Sequence, residues 1–389
     1  MPAARKAVGM PCEGECIVKY IENWEAVKSR YMQYWNRENH DRPLLWVTAP
    51  KDSADIENII PYQSTETPLN WSLSHYVFPR QAERQPKQLE TRWLHAQNKI
   101  RFARSAFEQT EFYGEAYPLL FPDLGAEIFA AILGCPMELT PTGTWCEHPF
   151  SALQADSVKM AEDGKWWKVV CDMTRAYVDD GNGDYLVGMV DIHPGLDTLG
   201  ALVGPEELCM EFYDSPDMVK RALDAQWEIF KDLYEKLYAM AQRDQCGTSN
   251  WMGAWYPGKW HTISCDVMTM ISSDMFRDIA LPMIRKEAAY FEKSIFHLDG
   301  REALRHLDDL LGIDEISGIQ WQFGAGNPTA SHWIDLLSEI QKAGKVVQVV
   351  LQPDELDIML DKLDPEGMLY VIACESDAEA RALMGRFGG

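Results

Sequence analysis

The segment Ile295-Phe296-His297-Leu298-Asp299-Gly300 ends a short apolar run with two side chains that can bind a metal ion or move a proton. In a strand, His297 and Asp299 lie on the same face and can turn toward a common point where the strand ends. Cys374 ends a later apolar run and is a candidate third ligand. Histidine, carboxylate and thiolate ligands could hold a catalytic zinc ion with one open position. Alternatively, Asp299 caps the following helix and His297 only packs.

Polar or aromatic side chains also follow most of the other apolar runs, so several segments could direct reactive groups at one face of the fold. Asp123, His297 and Asp266 are the candidate catalytic residues. The candidate substrate-binding residues are His193, Trp255, His261, Trp321 and Gln352. Simpler alternatives exist, because a loop aspartate such as Asp266 often makes only local hydrogen bonds and His193 could belong to a plain turn. His306 and Asp308 are expected on a solvated helix face.

Tryptophan is abundant, with 14 residues. Trp255 and Trp321 fall in predicted strand-end segments, and other strand-end segments contribute carboxylates to the same face of the predicted barrel. Indole rings near carboxylates suit a cationic or flat apolar ligand. The alternative for both residues is a place in the hydrophobic core.

The order of apolar runs predicts the elements that position these residues. Helical spacing over residues 17–35 is followed by a strand at 44–48. Seven further strand candidates follow, most of them separated by helical patterns, at residues 116–121, 184–190, 247–255, 294–297, 318–323, 346–351 and 368–373. Eight strands alternating with helices predict a (β/α)₈ TIM barrel. A doubly wound sheet is the alternative, but no glycine-rich phosphate loop follows an early strand.

The domain organisation follows from the same pattern. Residues 1–41 are predicted to form an N-terminal arm and helix, and residues 42–389 the barrel. Prolines and glycines in residues 135–168 interrupt the alternation of strands and helices. This indicates a small excursion after the second strand, which could form a hairpin over the barrel mouth.

Composition narrows the function classes. Sixty acidic and 36 basic residues give a net charge of −24, which disfavours nucleic acid and anionic membrane surfaces and favours a small-molecule substrate. No apolar run is long enough to span a bilayer and no secretory signal is recognisable, so we expect a cytoplasmic protein. Nine scattered cysteines indicate reduced thiols, and Cys12 and Cys16 lack a second pair at zinc-finger spacing. Nothing in the sequence chooses between a monomer and a homodimer.

Three motifs, in this order, carry a resemblance to a known superfamily. They are Leu120-Phe121-Pro122-Asp123, the segment from Ser272-Ser273-Asp274-Met275-Phe276 to Leu281-Pro282, and His297-Leu298-Asp299-Gly300. From about residue 110 onward the chain resembles the uroporphyrinogen decarboxylase superfamily, which includes the methylcobalamin:coenzyme M methyltransferases. The resemblance implies a (β/α)₈ barrel.

The chain also departs from this superfamily. The decarboxylases carry an arginine-rich segment near the first strand, whereas here only Arg42 precedes the strand and no arginine directly follows it. A substrate with many carboxylates would lack counter-charges, which argues against uroporphyrinogen. The methyltransferase branch binds zinc through His-x-Cys and a distant Cys, and His297 and Cys374 match two of these positions while Asp299 replaces the middle cysteine. This replacement makes a harder metal site.

The resemblance therefore implies a methyltransferase that moves a methyl group between a small donor, or a corrinoid on a partner protein, and an acceptor activated by zinc. Two alternatives stay open. One is a metal-independent decarboxylase (lyase) that acts on another small carboxylate, and the other is a non-catalytic module that binds a corrinoid or a cation.

Overall fold

The computed structural model describes residues 18–54, 86–140, 143–241, 247–324 and 326–387, so Cys12 and Cys16 lie outside the described residues. The strands of these ranges are β1 (Leu44–Pro50), β2 (Thr110–Gly114), β3 (Leu119–Leu120), β4 (Met137–Leu139), β5 (Thr144–Cys146), β6 (Leu186–Val187), β7 (Thr248–Ser249), β8 (Trp255–Tyr256), β9 (Trp260–Ser264), β10 (Lys293–Asp299), β11 (Gly318–Gln322), β12 (Val346–Leu351) and β13 (Met368–Ala373).

Helices alternate with most of the long strands. They are α1 (Trp24–Asn36), α2 (Pro86–Leu94), α3 (Ala96–Gln109), α4 (Ile128–Ile132), α5 (Lys165–Gly181), α6 (Leu196–Val203), α7 (Pro205–Asp214), α8 (Pro216–Ala241), α9 (Ser273–Met275), α10 (Leu281–Tyr290), α11 (Leu307–Leu311), α12 (Ile334–Lys342), α13 (Leu356–Lys362) and α14 (Asp377–Met384). A π-helical segment, Phe276–Ala280, joins α9 to α10. None of the described helices combines the length and the apolar composition that a bilayer span needs.

The central sheet has seven strands in the order β2-β1-β13-β12-β11-β10-β9, and all neighbours are parallel except β2 and β1. A separate parallel pair, β3 and β6, is linked to β7 by the hydrogen bond from Met189 N to Ser249 O, at 2.8 Å. The described strands thus form a mixed α/β fold with a mostly parallel sheet, as in a barrel. A continuous ladder that closes the barrel is not found among them.

The two faces of the parallel strands pack into two different apolar clusters, because successive side chains point to opposite faces. The inner cluster includes Trp46 and Ile295, and α1 contributes Tyr31 and Trp35 to it. The outer cluster lies between the sheet and the surrounding helices and includes Phe296. A residue's odd or even position in its strand therefore determines which cluster it joins.

Helix α1 packs at the amino-terminal ends of the strands. The Tyr34 hydroxyl donates a hydrogen bond to Val347 O, near the start of β12, at 3.4 Å. The Tyr31 hydroxyl reaches Gly253 O at 2.9 Å. Arg42 forms two hydrogen bonds with the buried Glu115 carboxylate and so links the start of β1 to the segment after β2. The opposite, carboxyl-terminal ends of the strands are left for the site.

Several sequence-based expectations are confirmed at the level of elements. The strands predicted at 44–48, 318–323, 346–351 and 368–373 are present, and the excursion after the second strand contains the β4–β5 hairpin. The single strand predicted at 247–255 is wrong, because β7 and β8 form an antiparallel turn of which Gly253, with φ +77°, is part. Strand β10 pairs with β11 on one side and with β9 on the other, and the sequence analysis missed β9.

Candidate functional site

Five titratable side chains converge where β9, β10 and the segment after β6 end. Asp266 interacts electrostatically with His297, Asp299, His193 and Asp191. Of the predicted site residues, the structure therefore brings together Asp266, His297, Asp299 and His193. Asp191 joins them. This group is called the strand-end cluster below.

His297 has the geometry of a general base. It lies on the inner face of β10, and its Nδ1 is hydrogen-bonded to the Oε1 of Gln320 on the neighbouring strand β11. Because an amide oxygen only accepts, Nδ1 is the donor in this contact, and Nε2 is the ring nitrogen left to face the cluster. Nε2 lies 4.0 Å from Asp299 Oδ2, and the Trp251 ring lies edge-on to the imidazole at 5.3 Å. The side chain is 18% exposed, so it is partly accessible to solvent.

The carboxylates beside His297 are shifted toward their neutral forms. Burial raises the pKa of Asp299, although the charge of His297 opposes this rise. Asp266 is exposed at its tip, but desolvation by the surrounding protein raises its pKa. The negative charge of Asp299 also raises the pKa of Asp266, whereas His297 lowers it. Carboxylates that repel one another favour either a bound proton or a bound cation between them.

Asp191 and His193 form an ion pair at the edge of the cluster, with Nε2 and Oδ1 2.5 Å apart. Burial lowers the pKa of His193, but the Asp191 charge and hydrogen bond outweigh it and raise the pKa to about 9. His193 is therefore an imidazolium ion at neutral pH. Its Nδ1 is buried without a hydrogen-bond partner.

His261 is buried on the outer side of the cluster, where its ring centroid lies 5.7 Å from that of His193, and its substrate-binding role stays a prediction. It lies on the outer face of β9 and stacks on Phe291 at 4.8 Å. Its Nε2 lies 3.2 Å from the Glu287 carboxylate of α10, without the alignment of a hydrogen bond. Burial lowers the pKa of His261 well below its usual value and raises that of Glu287 well above. Burial thus favours the neutral form of both groups.

Asp197 is a residue that the sequence analysis did not select. Its carboxylate accepts hydrogen bonds from the backbone N–H groups of Asp266 and Val267 at 2.9 and 3.0 Å. Burial and the Asp266 charge raise its pKa to about 6. Asp197 fixes the turn that presents Asp266, so it positions the cluster from α6.

The predicted zinc ligands do not converge. Cys374 follows Tyr370 and Ile372 in the outer cluster, whereas His297 and Asp299 lie on the inner side of β10. Burial raises the pKa of the Cys374 thiol to about 12, and the Glu379 charge adds to this. Among the described residues, no three His, Cys, Asp or Glu side chains are grouped so that they could hold a metal ion. The residues present thus do not fit a three-ligand zinc site.

Both predicted substrate-binding tryptophans belong to the core instead. Trp255 packs against Trp24 of α1, with ring centroids 5.9 Å apart, at the amino-terminal side of the sheet. Trp321 lies on the outer face of β11, is 0% exposed and contacts Trp333 at 5.0 Å. His306 is also buried rather than solvated, and it stacks on Phe276 at 4.2 Å. For these three residues, packing against neighbouring aromatic side chains determines the surroundings, and the position near a strand end or on a helix does not.

Asp123 and Gln352 have local partners. Asp123 Oδ1 accepts a hydrogen bond from Gly125 N at 3.4 Å, and its carbonyl accepts one from Lys99 at 2.9 Å. Gln352 forms a capping box with Glu355 at the turn after β12. A catalytic role for Asp123 and a substrate contact for Gln352 stay predictions.

Comparison with known proteins gives a similarity of fold. No family model and no curated protein matches the sequence. Among solved structures, the chain is similar to a methyltransferase from Methanosarcina mazei, with a TM-score of 0.55 over 93% of this chain and 99% of that chain. The sequences are 12% identical, so this similarity concerns the fold.

Proposed function

We propose that this chain is an enzyme that transfers a methyl group from a small donor to an acceptor nucleophile at the strand-end cluster. The placement of His297, whose Nδ1 is held by Gln320 and whose Nε2 lies 4.0 Å from Asp299, is the observation that carries the proposal. The fold similarity to a methyltransferase supports it at the level of reaction class.

His297 would act as the general base. A thiol acceptor loses its proton to Nε2 as sulfur attacks the methyl carbon, and the donor leaves with the bonding electron pair. Asp299, 4.0 Å from Nε2, stabilises the imidazolium that forms. The Gln320 amide keeps the tautomer fixed throughout, much as a carboxylate fixes a catalytic histidine.

The charges of the cluster favour methyl transfer over decarboxylation of a carboxylate. Asp191, Asp266 and Asp299 would repel a substrate carboxylate, and within the described ranges none of the three is ion-paired with an arginine or lysine. No step is assigned to zinc, because the donor set does not converge. The corrinoid carrier that the resemblance implies stays an alternative donor, and methylcobalamin represents it in the experiment.

The proposal is tested by incubating the purified protein with a thiol such as 2-mercaptoethanol and one methyl donor at a time. Methylcobalamin, trimethylsulfonium, tetramethylammonium and methanol are the donors, and mass spectrometry detects the methyl thioether. We expect transfer from at least one donor. His297→Ala should lower its rate at least about 100-fold, the usual range for loss of a general base.

His332→Ala is the matched control, because His332 is exposed and lies outside the cluster. It should keep the wild-type rate. No transfer from any donor, or an unchanged rate in His297→Ala, would contradict the proposal. Release of carbon dioxide from a panel of small carboxylates would favour the lyase instead.

A further inference from the structure

The strand-end cluster carries excess negative charge. Asp191 is neutralised by His193, but Asp266 and Asp299 have no arginine or lysine ion partner in the part of the chain that the structure describes. His297 is the nearest group that could offset them, and its Nδ1 is already engaged by Gln320. Two carboxylates therefore face a space that lacks a fixed cation.

A second observation independently indicates a ligand in the same interior. Gln348 lies on β12 directly beside Gln320, whose amide contacts His297. The Gln348 side chain is 2% exposed, and its Oε1 is buried without a hydrogen-bond partner. A buried amide oxygen left unpaired is costly, so it favours a ligand that offers N–H groups or positively polarised C–H groups.

Trp251 adds an aromatic wall. Its ring lies 5.3 Å from the His297 ring, and its Nε1 also lacks a hydrogen-bond partner. Indole rings attract alkylated cations, whose charge is spread over the methyl groups. Carboxylates, an unpaired carbonyl oxygen and an indole together make a site that is complementary to a compact organic cation.

We propose that this site binds a small methylated ammonium or sulfonium ion, and that this cation is the methyl donor. The inference rests on the proposed function and names the substrate class. In the reaction the bond from nitrogen or sulfur to one methyl carbon breaks, and the electron pair stays on the heteroatom. The acceptor sulfur bonds to that carbon, and its proton passes to His297 Nε2. The cation thus leaves as a neutral amine or sulfide.

Because the donor loses its charge in the reaction, Asp266 and Asp299 would favour both substrate binding and product release. The carboxylates bind the cation and release the neutral product, which has no charge to hold it. Because binding depends on ionised carboxylates, it should weaken at high ionic strength. A neutral donor of the same shape would gain nothing from Asp266 and Asp299.

Calorimetric titration compares choline with its uncharged isostere 3,3-dimethylbutan-1-ol, and a second pair of titrations uses tetramethylammonium and trimethylsulfonium. We expect choline to bind at least about tenfold more tightly than the isostere. Asp266→Asn and Asp299→Asn should each weaken choline binding about five- to tenfold. Asp361→Asn is the control, because Asp361 is an exposed carboxylate near the end of α13. It should bind choline like the wild type.

Circular dichroism establishes that each variant is folded before titration. Equal affinity for choline and the isostere, no binding of any of the three cations, or unchanged affinity in both cluster variants would overturn the inference. Methyl transfer from methylcobalamin or methanol without cation binding would overturn the inference alone. Cation binding without methyl transfer from any donor would instead contradict the proposed function, and the bound cation would then not be a methyl donor.

Discussion

The inner and outer faces of the parallel strands carry the same residue types in opposite surroundings. His297 on the inner face is 18% exposed beside two carboxylates, whereas His261 on the outer face is buried against Glu287, whose pKa is raised by burial. Gln320 faces inward and orients His297, while the next residue, Trp321, faces outward and packs. A shift of one position in a strand therefore separates a reactive group from a structural one.

The largest effect is expected from the outer face. Trp321→Ala removes a fully buried indole and should lower the free energy of unfolding by about 3–5 kcal/mol. Trp251→Ala, at a half-buried inner position, should cost clearly less. Urea denaturation of both variants measures the difference. An equal loss in the two variants would contradict the contrast between the faces.

The Asp191–His193 pair comes next. Asp191→Asn should lower the His193 pKa from about 9, because burial is then opposed only by the smaller contributions of Glu287 and Asp197. NMR titration of the histidine ring protons follows this change. The raised pKa also predicts that the pair's contribution to stability, about 3 kcal/mol at most, is complete below pH 6.5 and is lost as the pH rises through 9. A His193 pKa near 6.5 in the wild type would contradict the ion pair between Asp191 and His193.

Gln320→Leu should have a moderate effect. The imidazole of His297 loses the acceptor that fixes its tautomer, so the methyl-transfer rate should fall about tenfold, while the free energy of unfolding changes little. Gln341→Leu, on helix α12, is a control amide substitution that should leave the rate unchanged. A wild-type rate in Gln320→Leu would show that the tautomer needs no support from β11.

The smallest effect is expected at Cys374. Cys374→Ser places a hydroxyl in the outer cluster and should lower the free energy of unfolding by about 1–2 kcal/mol, without changing the zinc content or the transfer rate. Elemental analysis of wild type and variant measures the zinc. If the wild type holds one zinc per chain and Cys374→Ser loses it, the expectation is contradicted and a zinc site that includes Cys374 is supported.

Much of the sheet was predictable from the sequence because β1, β11, β12 and β13 are short, mostly apolar runs. The position of His297 and Asp299 on one face also followed from the two-residue period. The same period, applied to Cys374, would have placed it on the outer face. Amides within apolar runs, at Gln320 and Gln348, were an available signal for an inner polar layer.

Other features depend on contacts between distant segments. The pairing of His261 with Glu287 joins β9 to α10, and no local pattern indicates it. Trp255 became a core residue because helix α1, more than 200 residues earlier, packs against it. The β7–β8 turn was misread because residues 251–255, which form the turn and the start of β8, are an apolar run. Such contacts are decided by tertiary packing rather than by local sequence.

Modification by diethyl pyrocarbonate, followed by mass spectrometry of each histidine, tests the central claim most directly. The reagent attacks an unprotonated, accessible imidazole nitrogen. We expect His297 to react fastest among the cluster and core histidines and to be protected by choline. His193, as a buried cation, and His261 and His306, as buried core residues, should react at least about tenfold more slowly. Modification of His261 as fast as His297, or an unreactive His297, would contradict the assignment of the reactive face.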